Sequence, residues 1–136
     1  MAAVNFELRS YQLEALDALK AYLTDVRKQG ARAAFINQTN MPYTSAPFLN
    51  AETPYSCLRI PTGGGKTIVA AHAIGVAAKN YMNVDNPMVL WLVPSKAILD
   101  QTLKALRNLE HPYRAALAAD FGRNLTVLTV DDALSL

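Results

Sequence analysis

Cysteine and long apolar runs are scarce in this sequence of 136 residues. Its one cysteine, Cys57, has no partner for a disulfide within the chain, which indicates a reducing compartment. We expect Cys57 to be a small buried residue. The start, MAAVNFELRS, lacks the basic and apolar regions of a signal peptide, and no apolar run has the ~18 residues that span a bilayer. We therefore expect a cytoplasmic protein without a membrane partner.

A strong charge imbalance is also missing. The net charge is +2, from 13 basic and 11 acidic residues, and the basic residues are scattered along the chain. Charge alone therefore indicates neither nucleic acid nor an anionic membrane as a partner. The two histidines, His72 and His111, have no cysteine or carboxylate at metal-ligand spacing. With 51% hydrophobic residues, the chain is typical of one globular domain, residues 1–136.

The first 54 residues divide into a helix and a less regular segment. SYQLEALDALKAYLTDVRKQG carries an apolar stripe at helical spacing, with Ser10 as a possible cap and Gly30 as its end. Residues 1–30 are therefore predicted to form one helical segment. ARAAFI, residues 31–36, could form a short helical turn, but the stretch that follows contains three prolines and no period, so we predict a loop insertion over residues 31–54.

Strand and helix patterns alternate through residues 55–136. YSCLRI, MVLWLV and NLTVLTV are short apolar runs, and MVLWLV is typical of a strand buried on both faces, with Trp91 in the core. Three predicted helices lie between them, KTIVAAHAIGVAAKNYM, SKAILDQTLKALRNLE and YRAALAADFG closing at Gly122, and the opening of a fourth, DDALSL, follows the last run. This order predicts an α/β fold with an open parallel sheet and flanking helices.

The stretch PTGGGKT, residues 61–67, joins the first predicted strand to the following helix. Glycines permit positive φ angles and leave main-chain N–H groups free to surround an anion. The start of the following helix favours a phosphate there. The sequence therefore predicts a phosphate-binding loop for ATP and Mg²⁺, formed by Pro61, Thr62, Gly63, Gly64, Gly65, Lys66 and Thr67.

Two residues of this loop have specific predicted roles. Lys66 would reach the β- and γ-phosphates and act in catalysis, and Thr67 would supply a hydroxyl to Mg²⁺. The strict phosphate-loop pattern has glycine where this chain has Ile60, so Pro61-Thr62-Gly63 opens the loop instead. A glycine-rich turn followed by lysine through chance is the alternative.

This form of the loop resembles motif I of the superfamily-two helicases and translocases, which typically reads P-T-G-x-G-K-T. LRSYQ, residues 8–12, is similar to the L-R-x-Y-Q string upstream of motif I in the Res subunit of type III restriction enzymes. The resemblance implies a P-loop NTPase lobe of the RecA-like kind, here its incomplete N-terminal part. It also implies that the helix within residues 1–30 lies on the adenine side of the site, where Gln12 pairs with the adenine edge and Arg9 supports that pocket.

The same resemblance suggests contacts to nucleic acid. WLVPSKAILDQ is similar to motif Ia, where Ser95 and Lys96 would hold a backbone phosphate, and LTVLTVDDAL occupies the place of motif Ib, with Thr129 as the candidate contact. For Ser95 and Lys96, a helix cap and a solvated charge are the alternatives. The implied partners are double-stranded DNA, the remaining lobes of the same polypeptide and a modification subunit.

Asp131 and Asp132 follow an apolar run, as the metal-binding acids of Walker B do, but D-D-A-L departs from the family's D-E-x-H or D-E-x-D. We favour a capping role at the start of the next helix. The sequence thus predicts the ATP-binding portion of an ATP-dependent DNA helicase or translocase, with the fragment inactive alone. A small kinase and a non-catalytic scaffold module are the alternatives.

Overall fold

The computed structural model describes residues 6–136, and every regular element in that range is helical. The prediction that no signal peptide is present concerns in part residues 1–5, which lie outside the described residues. The helices are α1 (Ser10–Gln29), α2 (Ala31–Thr39), α3 (Lys66–Ala77), α4 (Lys96–Arg107), α5 (Pro112–Phe121) and α6 (Val130–Leu134). Helix α3 continues into a π-helical turn, Ala78–Met82.

Local signals account for most helix ends. The backbone of Gly30 has a φ of 86° at the end of α1, and that of Gly122 has a φ of 74° at the end of α5, a region that favours glycine. Arg9, rather than the predicted Ser10, is the N-cap of α1. His111 is the N-cap of α5, where its Nδ1 accepts from the Tyr113 N–H at 3.2 Å.

Two apolar clusters hold the helices together. The first cluster lies where α3 packs against α1 and α5, and it consists of Leu16, Ile68, Val69, Ala71, Leu106, Ala116 and Leu117. The second cluster joins α1 to α2 and the following loop, and it consists of Tyr22, Leu23, Val26, Ala31, Ala34 and Tyr43. In the second cluster, burial together with the neighbouring Tyr43 raises the pKa of Tyr22 to about 12. Helix α2 occupies 31–39, so the predicted loop over 31–54 is wrong in its first part.

The predicted open parallel sheet is wrong. No strand and no ladder of backbone hydrogen bonds is present within residues 6–136, although 55–60, 88–93 and 124–130 have strand-like sequences. Strands must lie about 4.7–4.9 Å apart to form a ladder. Here residues of segments 86–93 and 124–131 line one cavity of about 620 Å³, and no backbone hydrogen bond joins the two segments.

Burial in these segments also departs from the sequence prediction. Leu90 and Leu92 are 72% and 80% exposed, so the segment 88–93 is not buried on both faces, and Trp91 is only partly buried against the first cluster. Cys57 is exposed, contrary to prediction, because Leu58 and Ile60 are the residues of its segment that pack on the first cluster.

Side-chain donors anchor the segment 123–129 in place of a neighbouring strand. Buried Arg114 donates to the carbonyls of Leu106, Arg123 and Leu125 at 3.0–3.1 Å, and Arg107 donates to the carbonyl of Val127 at 3.0 and 3.2 Å. Carbonyls of alternate residues in an extended chain point to the same side. Arginine side chains of α4 and α5 therefore supply hydrogen-bond donors to the carbonyls along one edge of this segment.

Candidate functional site

The glycine loop, residues 61–67, lies between the segment 55–60 and the start of α3. Its first four residues form a turn that is closed by a hydrogen bond from the Gly64 N–H to the Pro61 carbonyl at 2.9 Å. Gly63, the third residue of the turn, has a φ of 77°, as a type II turn requires at that position. Thr62 and Gly63 are exposed at the tip.

Only glycine fits at the two positions after the tip. A Cβ on Gly64 would lie 2.6 Å from the Ile60 Cγ2 and 2.8 Å from the Pro61 carbonyl oxygen. A Cβ on Gly65 would lie 2.5 Å from the Gln12 Nε2, and its φ of 76° is strained for any other residue. At Gly63 an added Cβ meets nothing within 4 Å, so the tip faces open space.

The N-terminal end of α3 carries unpaired donors. Gly65 is its N-cap and supplies no side chain, and within residues 6–136 we find no protein acceptor for the N–H groups of Gly65, Lys66 and Thr67. Such N–H groups, together with the helix dipole, attract an anion. The Lys66 side chain is exposed beside them, and Thr67 is half-buried.

Helix α1 holds the loop from the other side. The Tyr11 hydroxyl donates to the Gly64 carbonyl at 2.9 Å, and the Gln12 Nε2 donates to the same oxygen at 2.8 Å. The Gln12 Oε1 accepts from the Arg9 N–H at 2.8 Å. Each end of the Gln12 amide is thus engaged inside the protein, and because Gln12 is only 3% exposed, adenine could reach the remaining donor and lone pair only if the side chain became accessible.

The sequence prediction did not include Tyr11, which the structure brings to the loop. The contact joins residues 53 positions apart, and no local period indicates it. The only signal was the place of Tyr11 within LRSYQ, next to Gln12. Arg9 lies at the base of this arrangement through its main chain, and its side chain is exposed.

The three predicted nucleic-acid residues lie at two other helix starts. Ser95 caps α4, where its Oγ accepts from the Ile98 N–H at 3.3 Å, and the exposed Lys96 is the first residue of that helix. Thr129 caps the five-residue α6, and its hydroxyl accepts from the Asp132 N–H at 3.0 Å. Their contact with nucleic acid stays a prediction.

Asp132 forms the reciprocal half of this cap. Its carboxylate accepts from the Thr129 N–H at 3.0 Å and from Arg107 at 2.9 Å. Hydrogen bonds from the Thr129 amide above all, then from the Thr129 hydroxyl and from Arg107, lower the pKa of Asp132. The cap is thus the observed role of Asp132, as we favoured. Within residues 6–136, no three His, Cys, Asp or Glu side chains meet to hold a metal ion.

Comparison with known protein families assigns the chain to a family, and the matched region includes the glycine loop. The family described as type III restriction enzyme, res subunit, has a sequence model that matches residues 5–130. The chain belongs to this family. The res-subunit family indicates an ATP-dependent, helicase-like function and nucleic acid as the general class of partner. No curated protein and no solved structure matches the chain significantly. None of the helices in residues 6–136 combines the length and apolar character needed to cross a membrane.

Proposed function

We propose that residues 61–67 bind the phosphate groups of ATP together with Mg²⁺. The observation that carries this proposal is the set of unpaired N–H groups at Gly65, Lys66 and Thr67, which adjoins the open tip at Gly63. A triphosphate supplies the acceptors that these donors lack. Family membership supports the same ligand because the res-subunit family generally uses ATP and Mg²⁺.

Within the loop, Lys66 would contact the β- and γ-phosphates with its ammonium group, and the Thr67 hydroxyl would face Mg²⁺. Pro61 and Thr62 hold the turn that opens the loop. Arg9 and Gln12 would lie on the adenine side, and the buried Gln12 amide would meet the base only once it becomes accessible. Bound Mg²⁺ would neutralise charge on the phosphates.

At the level of the whole polypeptide, we propose an ATP-dependent DNA helicase or translocase of restriction-enzyme type. ATP hydrolysis would be coupled to movement along double-stranded DNA, with further lobes of the same polypeptide and a modification subunit as partners. Ser95, Lys96 and Thr129 remain the candidate contacts to DNA. Residues 1–136 would be the N-terminal part of the ATP-binding lobe, and its phosphate-loop core would lie within 55–136.

Titration with a fluorescent ATP analogue and Mg²⁺ tests the ATP site. We expect Lys66→Ala to weaken binding about tenfold or more, since hydrogen bonds to charged groups contribute about 1.5–3 kcal/mol. Lys28→Ala, which removes an exposed cation near the end of α1, is the matched control for net charge. Equal affinity of the wild type and Lys66→Ala would favour a scaffold module.

A further inference from the structure

The Gly64 carbonyl receives two side-chain donors from the first turn of α1. Tyr11 and Gln12 are adjacent in sequence, and both reach this one oxygen, at 2.9 and 2.8 Å. A carbonyl oxygen has two lone pairs, so these two bonds use its full accepting capacity. We call this pair of bonds the Gly64 clamp.

The orientation of the Gln12 amide follows from its neighbours. The Arg9 N–H can only donate and the Gly64 carbonyl can only accept, so Oε1 must face Arg9 and Nε2 must face Gly64. Because the side chain is buried, water cannot easily replace either bond. The clamp is thus fixed on the α1 side before any ligand is present.

Fixing this carbonyl also orients a donor. The Gly64–Gly65 peptide bond is trans, and in a trans peptide the C=O and N–H groups point in opposite directions. With the Gly64 oxygen turned to α1, the Gly65 N–H is turned away from α1. This N–H is one of the unpaired donors at the start of α3.

We propose that Tyr11 and Gln12 are positioning residues that set the Gly64–Gly65 peptide so that the Gly65 N–H donates to a phosphate. The inference rests on the proposed ATP site and deepens it. It gives Tyr11 a role, and it gives Gln12 a role toward the phosphates that differs from reading the adenine. The two roles of Gln12 can be distinguished by comparing two ligands. Inorganic tripolyphosphate has phosphates and no base, so it tests the phosphate role alone, whereas ATP tests both.

The experiment is calorimetric titration of the 136-residue chain with Mg²⁺–tripolyphosphate and, separately, with Mg²⁺–ATP. The variants are Tyr11→Phe, Gln12→Met and the double variant. Tyr55→Phe is the matched control because it removes the hydroxyl of another exposed tyrosine. Tyr11→Phe keeps a partly exposed ring in place and removes one donor, so we expect the fold to persist.

We expect Tyr11→Phe to bind both ligands about two- to tenfold more weakly, the loss typical of one hydrogen bond. Gln12→Met should weaken tripolyphosphate binding at least as much. The fold-loss of affinity in the double variant should be smaller than the product of the two single fold-losses, because both donors act on one peptide. A purely structural role would lower the melting temperature and leave the affinity of the folded chain unchanged.

Unchanged tripolyphosphate affinity in Tyr11→Phe would overturn the positioning role of the Gly64 clamp while leaving the proposed ATP site intact. Loss of ATP affinity alone in Gln12→Met would assign that residue to the base and overturn its part in the clamp. If Gln12→Met does not fold, Tyr11→Phe decides by itself. A wild-type chain that binds neither ligand would remove the proposed ATP site and the clamp with it.

Discussion

The glycine loop and the segment 123–129 are both anchored by hydrogen bonds from helix side chains to the main chain. The segment 88–93 lacks such anchors within the described residues. In the first two, side chains from a neighbouring helix donate to main-chain carbonyls: Tyr11 and Gln12 to Gly64 in the loop, and Arg107 and Arg114 in the segment. Within the described residues, the main chain of 88–93 receives no such donor. Its leucines are correspondingly exposed.

This difference shows what replaces a sheet in this structure. A main chain without a ladder still needs partners for its polar groups, and helices can supply them through long side chains. Where arginine or glutamine reaches the main chain, apolar neighbours such as Leu125 and Val127 pack on the first cluster. Variants at these anchors should therefore affect the protein far more than variants in 88–93.

The largest expected effect is that of Arg114→Met. It removes charged hydrogen bonds to three carbonyls, so we expect the free energy of unfolding to fall by about 3 kcal/mol or more. Urea denaturation measures the change. Arg123→Met is the control because its exposed side chain leaves the Arg123 carbonyl in place. Equal stability of the two variants would contradict the anchoring role.

The next largest effect is expected for Gly65→Ala. We expect its free energy of unfolding to fall by about 2 kcal/mol, because the residue has a φ of 76° and its Cβ would overlap Gln12. Gly63→Ala is the matched variant. It has almost the same φ, 77°, but its Cβ enters open space, so only roughly 1 kcal/mol of backbone strain is expected. Thermal unfolding of both should rank them in this order, and the reverse order would show that the tip is the more crowded position.

A smaller effect is expected at Asp132, which Arg107 connects to the segment 123–129. Its pKa is lowered in the folded protein, so its contribution to stability is present above the unfolded-state pKa and is lost as pH falls through the folded one. Arg107→Met should raise the pKa of Asp132 toward its ordinary value. Carboxyl NMR titration of the wild type and the variant measures this shift, and an unchanged pKa of Asp132 would contradict the ion pair.

Leu92→Ser should have the smallest effect. Since Leu92 is 80% exposed, we expect the free energy of unfolding to change by less than about 0.5 kcal/mol. Leu106→Ser, in the first cluster, is the contrasting variant and should be strongly destabilising. A large loss from Leu92→Ser in urea denaturation would show that the segment 88–93 is buried in solution.

Sequence reasoning succeeded where the determining signal is local. Apolar spacing and glycines gave the ends of α1 and α5, and the glycine run before Lys66 gave the start of α3. It gave α2 only as a possible short turn at 31–36 within a predicted loop, because the sequence of α2 has no clear apolar stripe. It was wrong about the sheet, because strand pairing depends on distant segments, and wrong about Cys57, whose neighbours Leu58 and Ile60 face the core.

In the candidate site too, the local features could be predicted from the sequence and the long-range contacts could not. The turn at Pro61–Gly64 and the N-cap at Gly65 follow from residue types that are adjacent in sequence. The contact of Tyr11 and Gln12 with Gly64 joins residues more than 50 positions apart, so it required the folded arrangement of α1 against the loop. The predicted pairing of Gln12 with adenine did not anticipate that both ends of its amide are engaged.

The measurement that tests the account most directly is an amide NMR titration of the ¹⁵N-labelled chain with ATP and Mg²⁺. The account predicts that the largest shifts fall on the N–H groups of Gly63, Gly65, Lys66 and Thr67, and that Lys66→Ala reduces them. Amide shifts confined to other parts of the chain, or no shifts at millimolar ATP, would contradict a phosphate site at this loop.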